Sequence, residues 1–509
     1  MKKIIYTLAL ASLVSLGSCT DGFEDTNTSK TGSTSISPDL TFSTSLFYGS
    51  GIPYQMWQHT HQLTTGGWVQ HFANINPTFT ADNYEPAIAK EVWGYNYSKP
   101  GFAPLKMNAE TISLIEKGDK NPIKMACAKI WNVYMFHGIT DSYGDIPYSE
   151  AFKSNKAKFD TQQSIYTDML QTLAASVETL KKEKETGYVS FGTADVIYQG
   201  NVDKWIRFAN SLTLRLGLRL SNVDPALGKS YVEKVNPEEV ILNNAQSAQI
   251  KTMTADKAPY HEMKNAIGFV YAWNEVRISE TFMSYLDGRQ YGVVDPRLKQ
   301  FAETTKASDN KEYKGLKNGQ ASQSLSTNRS HYVEGYSNIG PYFNTMKYEV
   351  PLLLLTASES NLLLAEAKER GWLTGGSSTQ QYYEAAIKTS FDHFRNYWDG
   401  TGAISVAEET AYLAANGVAF DAAKALEQIA TQKWIALYTN EQEAWSEMRR
   451  TGFPKIASLV DPFPSNTEMP RRRLYSDEER KYNKANYDAA VARMGGDSQY
   501  TKVWWDGGK

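Results

Sequence analysis

Apolar residues recur at helical spacing along most of the chain, and no segment sustains the alternation of a half-buried strand. Residues 162–180 place Ile165, Met169, Leu173 and Val177 four apart on one face, which predicts an amphipathic helix. Residues 204–220 carry the clearest stripe, through Trp205, Phe208, Leu212 and Leu216, with Arg215 and Arg219 one turn apart on another face. Ser221-Asn222 and Asp224-Pro225 stop that helix. A helix entered at Asn121-Pro122 runs through Met125, Ile130, Val133 and Tyr134, with Gly138 placed to cap its end. Helical periodicity also fills 358–370, 379–396 and 421–450. The last has a seam of Ala430, Trp434, Leu437, Trp445 and Met448, and Arg449-Arg450 complement its terminal dipole. Between 251 and 340 periodicity gives way to Gly, Ser, Asn and Tyr, and loops that long in a compact protein are usually functional or disordered. Helix pairs recur every roughly 30 to 40 residues without a strict tetratricopeptide signature. The expected class is mostly α.

The N-terminus changes this picture. Met1-Lys2-Lys3 is followed by an almost uninterrupted apolar run from Ile4 to Leu16, too short to span a bilayer, and then by Gly17-Ser18-Cys19. Leu16-Gly17-Ser18-Cys19 resembles a bacterial lipobox, so residues 1–18 are expected to be a signal peptide and Cys19 the lipidated mature N-terminus. Two or three acyl chains, at about 0.8 kcal/mol per buried methylene, make a stable anchor. Residues 19–38 then read as a flexible tether of Ser, Thr, Asn, Gly and Asp, and residues 39–509 as one folded domain.

Composition removes several function classes. A net charge of -3 and no basic cluster longer than Arg471-Arg472-Arg473 argue against nucleic acid as a partner. With Cys19 lipidated, Cys127 is left alone in an apolar helical stretch and reads as core. Asp141, Asp145 and Glu150 do not have the spacing of a calcium loop. His59, His61 and His71 share a short window but offer no fourth zinc ligand. There is no nucleophile elbow, H-E-x-x-H, phosphate loop or Rossmann fingerprint, so no catalytic residue, metal or cofactor is expected.

One set of motifs runs nearly the length of the chain. It comprises GDIPYSEAF at 144–152, FDTQQSIY at 159–166, KWIRFANSLTLRLGLRLS from Lys204 and DPRL at 295–298. NLLLAEAKERGW from Asn361, QKWIALYTNEQEAWSEMRRTGFP from Gln432, RRRLYSDE from Arg471 and VWWD at 503–506 complete it. In that order they resemble the SusD/RagB family of outer-membrane lipoproteins, in its SusD-like subgroup. Ser476, where a proline is common, and Ser358-Glu359-Ser360 depart from the usual pattern. The resemblance implies tetratricopeptide-like helix pairs carrying a loop-rich ligand-binding lobe. It also implies a cell-surface location on the outer membrane and a SusC-like TonB-dependent transporter as partner. Proteins of this kind capture a nutrient and do no chemistry on it.

The ligand candidates are aromatics in stretches without helical periodicity. Trp68 follows Gly66-Gly67 and has Gln70, His71, Asn74 and Asn76 nearby. Tyr271, Trp273, Asn274 and Arg277 form a second cluster in the long central region. Sugars stack their C–H faces on indole or phenol rings while Asn, Gln, Asp and Arg bond their hydroxyls, so a glycan is the expected ligand. Trp434 and Trp445 lie on a helical stripe and read as core, and the resemblance makes Trp93, Tyr95 and Tyr97 weaker ligand candidates, because an aromatic helix seam at that point is common in the family. A peptide-capturing member of the same family and a surface hydrolase are the alternatives.

Overall fold

Capping residues start the principal helices. In this computed structural model, which describes residues 36–85, 91–258, 260, 263–307, 311–463 and 468–509, eleven helices carry the architecture used below. They are α1 (Pro38–Gly49), α2 (Pro104–Leu114), α3 (Pro122–Tyr143), α4 (Gln162–Glu183), α5 (Val202–Arg219) and α6 (Pro225–Val232), then α7 (Ala266–Tyr271), α8 (Ala357–Glu369), α9 (Thr379–His393), α10 (Ala425–Ala436) and α11 (Glu441–Thr451). The side chains of Asn121, Thr161, Asn201, Asp224 and Thr356 each accept a first-turn N–H, and Ser378 closes a capping box with Gln381. Cys19, the signal segment and most of the tether lie outside the described residues.

Two boundaries differ from the sequence reading. Helix α3 does not stop at Gly138 but runs on to Tyr143 and ends at Gly144, whose φ of +83° only glycine adopts readily. Ile139, Thr140, Asp141 and Tyr143 are all buried, and that packing outweighs the roughly 1 kcal/mol a helical glycine costs. The single helix expected over 421–450 is two helices. Between them Thr439 has a φ of +77°, and its N–H is taken by the Glu441 carboxylate at 2.7 Å.

Strands are few and short. β1 (Phe72–Asn74) pairs antiparallel with β5 (Val276–Ile278), β2 (Ile146–Pro147) with β3 (Phe159–Asp160), and β4 (Ala248–Lys251) with β6 (Pro351–Leu355). The apolar run at 351–355 is β6, buried throughout.

Consecutive helices pack as pairs, α3 on α4, α5 on α6 and α8 on α9, as a tetratricopeptide-like scaffold requires, and α1 packs on α2 across the shorter helical segments between them. Helix α5 also lies against α4 and α8. Its Trp205, Phe208, Leu212 and Leu216 join the main core, while Leu214 and Leu218 face a second core built on α8 and α9. Helices α5 and α6 touch at glycines: a Cβ on Gly228 would collide with the Gly217 carbonyl.

A helix buried on both faces leaves its charges no path to water. Arg215 and Arg219 are 1% and 0% exposed, and acids on other helices meet them. Arg215 binds Glu359 of α8 through two hydrogen bonds of 2.7 and 2.8 Å. Arg219 bonds Glu443 and Glu447 of α11 and lies 3.4 Å from Asp141 of α3. Glu447 also pairs with Lys433 of α10 and, together with Glu366 of α8, with Arg450. Arg450 therefore reaches carboxylates, while Arg449 lies over the Trp445 ring and donates to backbone carbonyls.

The charged neighbours fix the ionisation of these acids. Burial alone would raise the Glu366 and Glu443 carboxyls, but adjacent guanidinium and ammonium groups hold them down at about 2, and Glu447 well below its ordinary value. A depressed folded-state pKa contributes stability above the unfolded value near 4.5, and that contribution is lost as pH falls through the folded one. Asp82 has the opposite sign. Burial lifts it to about 6, so ionising it as pH rises from about 4 to 6 costs stability. Urea unfolding should therefore show stability falling from about pH 4.5 towards pH 2. Glu447→Ala, which takes one carboxylate partner from each of the buried cations Arg219, Lys433 and Arg450, should cost about 3–5 kcal/mol at pH 7, and an effect under about 1 kcal/mol would contradict this account.

Candidate ligand-binding surface

The two sequence windows rich in candidate residues are neighbouring strands. Ala73 pairs with Arg277 and Asn74 with Val276 in the β1–β5 ribbon, so residues about two hundred apart in sequence share one structural unit. The ribbon is buried, and the turn leading into β5 emerges from it.

That turn follows α7. Asn265 caps the helix through the Ile267 N–H, and the N–H groups of Trp273 and Asn274 close onto the carbonyls of Val270 and Tyr271. Asn274 adopts a φ of +54°, a left-handed conformation its short polar side chain tolerates. Its Oδ1 accepts from Arg277 and its carbonyl from Arg329, both through Nη2, at 3.1 and 2.8 Å. The turn thrusts Trp273 outward, 42% exposed. Tyr54 and Phe269 stand edge-on to the indole, each 5.5 Å away at 87° and 75°, and lie 4.5 Å from each other. The indole is thus braced by two near-perpendicular rings and keeps part of its surface in water.

The remaining members of this cluster position it. Tyr271 is half-buried and donates its hydroxyl to Glu303 at 2.7 Å, and burial, aided by that carboxylate, holds the phenol above its ordinary pKa. Asn344 donates to the same carboxylate at 2.8 Å. Arg277 is fully buried and tied to the carbonyls of Val276 and Val333, with burial pressing its pKa down. Arg277 contributes turn geometry, and Trp273 is the side chain presented.

The first cluster is scaffold, a correction to the sequence reading. Trp68 is 1% exposed, its indole N–H donating to the Ala81 carbonyl at 3.0 Å and its ring packed 4.8 Å from Trp445 beneath the Arg473 guanidinium. His71 is fully buried, with Nε2 3.1 Å from the Trp434 carbonyl and Nδ1 3.5 Å from Glu441. Asn74 donates its backbone N–H to Asp82 and its amide to the Phe79 carbonyl. The glycines before Trp68 serve packing, since a Cβ on Gly67 would strike Asp82. A buried and an exposed tryptophan look alike when both sit in stretches without periodicity.

Other residues singled out in the sequence also serve the interior. His61 and His71 flank Glu441, and though burial alone would raise that carboxyl, their hydrogen bonds hold it at about 2. Asp141 accepts from Tyr166 and Trp505, and Asp145 from Gln162 and Arg493, so the acids weighed for calcium have protein partners. Arg471 and Arg472 pair with Asp506 and Asp497, and Arg473 is buried, which spends the one basic cluster. Cys127 and Trp434 and Trp445 are core as expected. Trp93 and Tyr95 are buried too, with Trp93 stacked on the half-buried Tyr97. Ser358, Glu359 and Ser360 are buried with partners in α9 and α5, and Ser476 caps a helix, so both departures from the motif pattern are built into the fold. Tyr54 and Phe269 escaped the sequence reading, because nothing local marks an aromatic as belonging to a platform assembled from two distant segments.

A helical scaffold that exposes a braced indole on a loop-rich lobe describes a binding protein built on helix pairs. The family described as starch-binding, associating with the outer membrane (SusD-like) matches residues 35–476, and the chain belongs to it. A chitin-binding SusD homologue from Flavobacterium johnsoniae superposes with a TM-score of 0.76 at 28% identity, over 92% of this chain and 98% of that one. SusD homologues from Bacteroides uniformis (25% identity, TM-score 0.76, 92% and 99% covered) and Bacteroides vulgatus (27%, 0.72, 89% and 93%) are similarly alike. No curated protein matches. Among the described residues, no helix is long and apolar enough to cross a membrane.

The division between scaffold and platform is measurable. Trp68→Ala should lower unfolding stability by about 3–5 kcal/mol through the cavity it leaves. Trp273→Ala should change it by less than about 1 kcal/mol, because its ring is already half in water. Equal losses in urea denaturation would contradict the assignment.

Proposed function

We propose that this protein is a cell-surface lipoprotein, anchored through Cys19, that captures an oligosaccharide on the Trp273 platform and delivers it to a SusC-like TonB-dependent transporter. The carrying observation is the exposed indole held by the near-perpendicular rings of Tyr54 and Phe269. A chain that buries most of its tryptophans leaves this one out, and a rigid ring offers a sugar face contact at little entropic cost. Membership in a family described as starch-binding, and likeness to a chitin-binding homologue, support a glycan as the ligand. Capture without chemistry fits the two nearby acids. Glu275 is tied to Gln58 and Glu303 to Tyr271 and Asn344, whereas a glycosidase needs an acid and a second carboxylate across one bond.

The lipid would keep this binding surface beside the transporter and raise its effective concentration there, with residues 20–38 as slack. Calorimetry of the protein lacking residues 1–19, against chito-oligosaccharides, malto-oligosaccharides and peptides, is expected to show glycan binding with the sugar recovered intact. Trp273→Ala should weaken that binding about tenfold or more. Peptide binding without glycan binding would replace the ligand class, and consumption of the sugar would make the protein a hydrolase. The anchored protein should co-purify with a large β-barrel transporter, and Cys19→Ser should spare glycan binding while impairing uptake.

A further inference from the structure

A second aromatic column stands next to the Trp273 platform. Tyr348, 37% exposed, stacks on Trp398 with ring centroids 6.0 Å apart and planes 21° from parallel. Trp398 in turn lies 4.6 Å from Tyr342 at 31° and donates its indole N–H to the Tyr342 carbonyl at 2.9 Å. Tyr342 is buried and packs edge-on against Phe394 at 4.8 Å. The column is thus rooted in the core at one end and open to solvent at the other. Exposed Lys347 and Glu349 flank its outer ring, and exposed Asp399 follows Trp398.

The column is fixed relative to the first platform through α7. Asn265, at the start of that helix, donates to the carbonyls of Phe343 and Thr345 at 2.6 and 2.8 Å. Gly268 lies so close to Asn344 and Met346 that a Cβ there would fall 2.8 Å from the Asn344 carbonyl oxygen and 2.9 Å from the Met346 Sδ. Phe269, the next residue, belongs to the Trp273 platform, and Tyr348 is two residues beyond Met346. From Asn265 to Tyr271 the helix rises only about 9 Å. Through Gly268 this short helix thus touches half-buried Met346 of the segment leading to Tyr348, and through Phe269 it carries part of the Trp273 platform.

We propose that Tyr348 and Trp398 form a second sugar-stacking subsite, so that the ligand is an extended glycan chain engaging both platforms at once. This rests on the capture reading above and adds to it the size class of the ligand. Polar flanks suit hydroxyl recognition, and a column rooted in the core loses little freedom when a ring stacks on it. Once one end of a chain is held at Trp273, the other meets Tyr348 at a high effective concentration.

The test is calorimetry with chito- and malto-oligosaccharides from dimer to hexamer. In the unaltered protein, affinity for the bound series should rise about tenfold or more from dimer to hexamer. Tyr348→Ala should leave the dimer unchanged and weaken the hexamer about fivefold or more, while Trp273→Ala weakens both. Trp398→Phe, which keeps a ring in the column, should fall between the unaltered protein and Tyr348→Ala for the hexamer. A Tyr348→Ala protein with an unchanged melting temperature that binds the hexamer as tightly as the original overturns the subsite and leaves the capture reading standing. Failure of both series to bind the unaltered protein overturns the capture reading, and the subsite with it.

Discussion

Five helices of the scaffold meet in one buried network of charge. Arg215 and Arg219 of α5, Glu359 and Glu366 of α8, Lys433 of α10, and Glu443, Glu447 and Arg450 of α11 share it, with Asp141 reaching in from α3. Such pairs add little net stability over a well-packed apolar core, because each charge gave up its hydration. Their effect is on arrangement. A helix displaced by one turn would leave a buried charge without a partner, a far larger loss than a displaced leucine incurs. The network therefore fixes the register of α5, α8, α10 and α11 together.

The loop-rich lobe depends on that register. Trp434 of α10 accepts His71 at its carbonyl and donates its indole N–H to Val69, and Trp445 of α11 packs on Trp68. Those contacts hold the residues leading into β1. β1 pairs with β5, and the turn entering β5 presents Trp273. An unbroken chain of packed contacts thus runs from the charged core to the exposed indole, and the residues along it are rigid because they are buried. Ring platforms stand at the far end, where the constraint has been converted from charge pairing to aromatic geometry.

Burial also decides what composition leaves open. A chain that is 12% aromatic suits a binding surface or a helical scaffold with aromatic seams alike, and here most of its tryptophans serve the interior. Several donate their N–H to backbone carbonyls, as Trp68, Trp434 and Trp445 do, and others to buried side chains, as Trp131, Trp205 and Trp505 do. Each such bond lets a large amphipathic ring fill the space between helices and irregular segments without stranding a polar atom.

The sequence alone determined α4, α5, α8 and α9 to within a few residues, because periodicity, caps and breakers are local properties, and it determined the family, because its motifs keep their order along the chain. What it left open depended on partners far away in sequence. Gly138 could not be told from a helix end until Asp141 and Tyr143 were seen to be buried, and the break at Thr439 depended on Glu441 and its two histidines. Trp68 and Trp273 carry the same local signature, glycine or irregular chain with polar neighbours. Only tertiary structure decided between them, since exposure is a property of what the rest of the chain places over a ring: Trp445 and Arg473 cover one, and water covers part of the other.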